Sequence, residues 1–213
     1  MNSKSYFPLL VSGASGRLGR LVVSKLLDVC KVPANQIIAT TRTPDSLAEF
    51  SARGVQVRLA DFDRPDTLPT AFADAKRMLM ISTDSFKDAE FRLNQHKVAL
   101  DAARDAGVQH VAYTSHPNPQ PGTPGFWTIP HYWTEQLLKR SGMGWSILRD
   151  SDYVEYHLDE DFPRAVRLGK FYTAMGDGKI SYIAKEDCAQ AIASLLNSET
   201  LENAIHHISG PAL

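Results

Sequence analysis

The chain has 213 residues, 43% of them apolar and 22% charged, with a formal net charge of −1 at pH 7. That length accommodates one large domain, residues 1–213, with a substantial core, and the balanced charge gives no electrostatic reason for nucleic acid or an anionic membrane as a partner. Cys30 and Cys188 form neither a metal spacing nor a disulfide framework, and no run resembles a signal peptide or a membrane span, so the expectation is a cytoplasmic protein.

In chain order, the first predicted element is a strand, FPLLVS (7–12), running into VSGASGRLGRL (11–21). Gly13 permits a sharp turn, Gly16 lets backbone amides approach a pyrophosphate, and Gly19 lets the following helix pack close to the strand. That helix shows Leu18, Leu21, Val22, Leu26 and Val29 at helical spacing. The second strand, QIIATT (36–41), ends at Arg42 with no carboxylate to hold a ribose 2′-hydroxyl. A guanidinium there suits a 2′-phosphate, and Arg17 in the glycine loop is placed as a second contact, so NADP(H) is preferred over NAD(H). The third strand, VQVRLA (55–60), leads into Asp61 and Phe62, a carboxylate for an adenine amino group and a ring for packing.

RMLMIS (77–82) is the fourth strand, and Ser82 and Thr83 at its end face the nicotinamide ribose. A helix over 89–106 follows, then the fifth strand HVAYTS (110–115), with Tyr113 and Ser115 as candidate substrate contacts. The loop HPNPQPGTPGFWTIP (116–130) leaves the carboxyl end of that strand, where open parallel sheets bind ligands, and Phe126 and Trp127 are candidate pocket walls. A helix over 131–140, a strand GWSIL (144–148), a segment 150–172, a helix opening at Lys185-Glu186-Asp187 and a last strand AIHHIS (204–209) complete the chain. Asp159-Glu160-Asp161 reads as a solvated turn, and His206-His207 point to opposite faces of a strand, so no metal is expected. Strands alternating with helices predict an α/β fold: a Rossmann-type doubly wound parallel sheet with helices on both faces.

SGASGRLG, TTR, ADF, ARDAGVQHVAYTS, PHYWTEQLLKRSG, SILRDSDYVEY and AMGDGKISYIAKED together resemble the NmrA-like atypical short-chain dehydrogenase/reductases, nearest the type 2 quinone oxidoreductases and triphenylmethane reductases. The resemblance implies an NADPH-dependent reductase of quinones or similar flat, conjugated acceptors. It implies cofactor contacts from Gly13, Ser15, Gly16, Arg17, Leu18, Arg42, Asp61, Phe62, Ser82 and Thr114. Where ordinary short-chain dehydrogenases carry Tyr-x-x-x-Lys, this chain reads His131-Tyr132-Trp133-Thr134-Glu135, which resembles the type 2 quinone reductases in placing Glu four residues after His. His131 and Glu135 then share a helix face within mutual reach, with Ser115 on the strand beside them; His131 is a candidate proton donor near neutral pH. An alternative reading is a helix-start His–Glu pair that serves structure only. Family members of the quinone reductase type continue past the point where this chain stops, at HHISGPAL, so a C-terminal substrate lobe is expected to be reduced or absent. Asn118 to Trp127 in the 116–130 loop and the 150–172 segment, with Tyr153, are then expected to make up most of the acceptor wall. Two rival functions stay open: a non-catalytic NADP(H)-binding redox sensor, and a reductase like the flavin reductase/biliverdin reductase B group. A small-molecule acceptor is the expected partner, with a homodimer left open.

Overall fold

In the computed structural model, residues 7–84, 88–121, 128–172 and 176–211 are described. All seven predicted strands form: β1 (Leu9–Val11), β2 (Ile37–Thr41), β3 (Gln56–Leu59), β4 (Arg77–Met80), β5 (His110–Ser115), β6 (Gly144–Asp150) and β7 (Ala204–Ile208). They build one parallel sheet in the order β3-β2-β1-β4-β5-β6-β7. The order reverses between β1 and β4, which opens a crevice at the carboxyl ends of those two strands.

Alternation of side chains along each strand divides the core in two. Leu9, Val11, Ile37, Ala39 and Leu79 point to one face, against Leu18, Val22 and Leu26 of α1 (Arg17–Asp28). Leu10, Ile38, Met78, Met80 and Tyr113 point to the other, against helices that follow β3, β4 and β5. Those are α3 (Leu68–Phe72), α4 (Ala89–Asp105) and α5 (Thr128–Lys139); the short α2 (Ala48–Ala52) follows β2. Val29, read as part of the buried stripe of α1, lies past its last turn and is exposed.

The 150–172 segment is more ordered than a turn. After β6 it runs as α6 (Val154–Tyr156), a π-helical turn (His157–Asp161) and α7 (Phe162–Leu168), which ends on Gly169 in the left-handed conformation. Asp159 pairs with Arg17, and Asp161 pairs with His157 at 2.9 Å and with Arg164 at 2.9 Å. The acidic run is therefore helical rather than a turn; Asp159 and Asp161 have arginine partners, and Glu160 stays exposed. The helix α8 (Lys185–Leu196) then lies on the first core beside α1 and leads to β7 at the sheet edge. The expected substrate walls Phe126 and Trp127 fall outside the described residues.

Candidate active site

The glycine loop closes where the sequence places it. Gly13 adopts φ +62°, a left-handed conformation that favours glycine, and the Gly16 N–H donates to Gly13 O at 3.0 Å. A Cβ on Gly19 would stand 2.4 Å from Gly13 O and 2.7 Å from Ala14 Cα, so α1 can reach the loop only with glycine at that position. Gly16 caps α1 without a side-chain hydrogen bond, and the first turn holds no acidic residue. The first-turn amides and the positive end of the helix therefore face the crevice uncompensated, a ready site for a phosphate. Leu18 sends its side chain into the core, so only its backbone is available to a ligand.

The end of β2 is tied to this loop. Thr41 Oγ1 donates to Ser15 Oγ at 2.8 Å, and the Arg20 guanidinium links Ser15 O, Ser46 O and Glu49. Arg42 is exposed and has no hydrogen bond or ion pair among the described residues. Arg17 is instead paired with Asp159, with Glu155 and Tyr156 nearby, so its partners lie in the 150–172 segment and not at the end of β2. Asp61 Oδ1 accepts the Asp63 N–H at 3.0 Å in a tight turn, and Phe62 packs on the second core.

Beyond β4 and β5 lies a buried polar network. Thr114 Oγ1 accepts the Ser82 N–H at 2.8 Å, holding the two strand ends together. His96 Nε2 accepts the Thr83 N–H at 3.1 Å, and its other nitrogen lies 2.8 Å from Thr134 Oγ1, which donates to Pro130 O at 2.7 Å. That chain leaves the His96 proton on Nδ1, and burial pushes its pKa down to about 3.

His131 is held similarly. A guanidinium only donates, so Arg92 Nη2 donates to His131 Nε2 at 3.0 Å, and His131 Nδ1–H then donates to the Tyr113 hydroxyl at 2.9 Å. Burial, then the nearby Arg92 charge, holds the His131 pKa well below its ordinary value. In this arrangement the imidazole proton is engaged by Tyr113 and not free, as the expected proton donor would have it. Tyr113 is fully buried, with its pKa pushed up to about 12 by desolvation, and so backs His131 instead of lining a pocket.

Glu135 faces elsewhere. It is 1% exposed, accepts the Ser115 hydroxyl at 2.7 Å, and is gripped by Arg149 through two bonds of 3.0 and 2.8 Å. The structure thus separates the expected His131–Glu135 pair, placing Glu135 and Ser115 in an ion-paired support of β5 and β6.

Tyr153 also serves the interior: its hydroxyl donates to Asp150 Oδ2 at 2.6 Å, and its ring packs on the first core. The exposed wall residue is Tyr156, one helical turn on, with Lys185 Nζ 4.6 Å from its ring and both Arg17 and Arg92 within electrostatic reach. The i, i+3 spacing of the two tyrosines was the signal available in the sequence. Arg92 gave no comparable signal, because one arginine in an amphipathic helix reads as a solvated face.

Asp150 has a second consequence. Its Oδ1 is buried with no partner among the described residues, and burial pushes its pKa up to about 7 from 3.8. Between about pH 4 and 7 the folded chain keeps a proton that the unfolded chain has released, so the contribution is full below pH 4 and is lost as pH rises through 7. Asp150→Asn, neutral throughout, should flatten that decline and be more stable than the parent at pH 8. Urea unfolding at pH 5 and pH 8 checks this; an unchanged slope would reject the assignment.

Residues 13–199 match a family model described as NAD(P)H-binding. Quinone oxidoreductase 2 of Escherichia coli strain K12 is 33% identical over 202 residues, covering 95% of this chain and 68% of that protein. Among solved structures, the Citrobacter sp. triphenylmethane reductase complexed with NADP(H) superimposes with a TM-score of 0.88 at 30% identity, over 97% of this chain and 71% of that one. The E. coli NADPH-dependent quinone oxidoreductase complexed with NADPH gives a TM-score of 0.86 at 33% identity, over 95% and 69%. The chain spans about two thirds of the length of these relatives.

Proposed function

The chain belongs to the NAD(P)H-binding family, and on that premise we propose that it is an NADPH-dependent reductase that delivers hydride to a quinone or a comparable conjugated acceptor. The residues fit the dinucleotide. The uncapped start of α1 offers amides to the pyrophosphate, Gly13 and Gly16 keep the backbone open to it, and Ser15 lines the same loop. Arg42 takes the 2′-phosphate, Asp61 and Phe62 flank the adenine, and Ser82 and Thr83 flank the nicotinamide ribose. When bound, NADPH supplies the hydride. The chain's own residues supply position: the Thr114–Ser82 bond fixes the strand ends, the buried His96–Thr134–Pro130 chain fixes the loop after β4, and Tyr156 covers the mouth. Thr114 itself is buried and acts through Ser82. With His131 neutral and committed, the proton that completes reduction comes from water.

The observation that carries this reading is the uncapped helix start at the switch point, with the carboxylate-free end of β2 presenting Arg42 beside it. The relatives named for quinone and dye reduction support the acceptor class. Among the described residues no helix is long and apolar enough to cross a membrane, and a cytoplasmic location is part of the proposal. The test mixes purified protein and NADPH with a panel of quinones, azo dyes and flavins, following loss of nicotinamide absorbance. Turnover with quinones is expected. Tight NADP(H) binding with no turnover on any acceptor would overturn the enzyme reading in favour of a redox sensor, which the missing Tyr–Lys pair and the sequestered Glu135 would then suit.

A further inference from the structure

Arg92 lies in the second turn of α4 and is 8% exposed. Burying a guanidinium is costly unless a carboxylate and a full set of hydrogen bonds compensate it. Here neither is present among the described residues. Nη2 bonds Ser82 Oγ and His131 Nε2, both neutral acceptors; Nε is buried without a partner; and no carboxylate forms an ion pair with it. Asp84, exposed beyond β4, acts on it only through space.

The placement of this charge is informative. Ser82 lies two residues past β4, His131 sits in the first turn of α5, His116 follows β5 with its ring 6.1 Å from that of His131, and Tyr156 lies within electrostatic reach of Arg92. These are the walls of the crevice at the carboxyl ends of the strands, where the nicotinamide and its acceptor meet in such folds. His131, with its lone pair spent on Nη2 and Tyr113 behind it, holds the guanidinium in place. An uncompensated cation kept at a stability cost in a reaction crevice is suited to negative charge that a ligand brings or develops.

Resting on the reductase reading above, we propose that Arg92 is a catalytic residue that binds the acceptor's oxygen and stabilises the oxyanion formed on reduction. Two-electron reduction of a quinone takes a hydride from NADPH and a proton from water, giving hydroquinone and NADP+. Between the two arrivals the acceptor carries one negative charge, on oxygen. With Nη2 committed to Ser82 and His131 and Nε buried, Arg92 donates to that oxygen through Nη1 and keeps its own protons. The same charge sets specificity. A carbonyl acceptor goes from neutral to anionic and gains from the guanidinium, whereas a cationic triarylmethane dye goes from cationic to neutral and is repelled before it reacts. This chain therefore takes quinones and other acceptors reduced at oxygen in preference to cationic dyes.

The test uses Arg92→Gln and Arg92→Lys in the full chain. Arg92→Gln should lower kcat/KM for a neutral naphthoquinone by about 100-fold, the loss typical of one oxyanion donor. Reduction of a cationic triarylmethane dye should hold or rise, the Kd for NADPH should change far less than the quinone rate, and Arg92→Lys should recover part of that rate. Thermal stability should not fall, because the variant removes a buried unpaired charge. Calorimetric binding of an acidic hydroxynaphthoquinone, anionic at pH 7, should weaken in Arg92→Gln whether or not turnover occurs. Equal losses for quinone and cationic dye, or unchanged binding of the anionic quinone, would overturn the proposal. A wild type that oxidises NADPH with no acceptor would instead overturn the reductase reading, leaving the binding arm to judge Arg92.

Discussion

Arg42→Asp is expected to weaken NADPH binding roughly a hundredfold while changing NADH binding little. The loss combines the removal of charge-assisted hydrogen bonds, worth about 1.5–3 kcal/mol, with repulsion between the new carboxylate and a 2′-phosphate. Arg42 is exposed, with no intramolecular partner among the described residues, so its replacement costs the fold little. NADH has only a 2′-hydroxyl there, to which aspartate can bond. Equilibrium titration of both nucleotides, by nicotinamide fluorescence or calorimetry, is the measurement. Equal weakening of the two would reject the 2′-phosphate role. Arg17→Ala should have a smaller effect on this discrimination, since Arg17 is paired with Asp159 across the loop.

Arg149→Met should lower stability by about 3 kcal/mol, the low end of the range for stranding one partner of a buried ion pair. Glu135 is then left 1% exposed with only the Ser115 hydroxyl and Lys139, whose ammonium is 3.8 Å away, to offset its charge. For a chain of this size that corresponds to a melting temperature roughly 10 °C lower. The double variant Glu135→Leu/Arg149→Met should recover much of the loss, because no charge is stranded. The same pair decides what Glu135 does. Under the structural role, Glu135→Gln lowers the melting temperature while kcat per folded molecule holds. A drop in kcat at unchanged stability would return Glu135 to the catalytic set.

These variants also mark how far the residues could be read in order. The seven strands and their parallel arrangement were legible because each is a short apolar run bounded by a helical pattern. In a sheet covered on both faces, every residue from Leu9 to Val11 or Ile37 to Thr41 can be buried. The glycine loop was legible for a local reason: Gly13 needs its own positive φ, and Gly16 and Gly19 act within a few residues of it. Arg42 was legible because its place, one residue past a strand, follows from the strand alone.

The side-chain partnerships were not legible. Helical spacing correctly places His131 and Glu135 four residues apart, yet each is claimed by a different distant neighbour, His131 by Arg92 and Tyr113, Glu135 by Arg149 and Ser115. Tyr153 and Tyr156 are three residues apart, but one turns inward to Asp150 and the other outward, exposed beside Lys185. Asp159 gained its partner only when the 150–172 segment folded back over the glycine loop.

The sequence by itself determined the fold class, the form of the glycine loop and a β2 end that carries Arg42 and no carboxylate, because each rests on local periodicity, backbone conformation or position along a strand. Only the tertiary structure decided which charges are compensated. Burial and pairing depend on residues such as Arg92, Ser82 and His131, which are far apart in sequence. The cost of a buried charge appears only once the fold has removed water from around it.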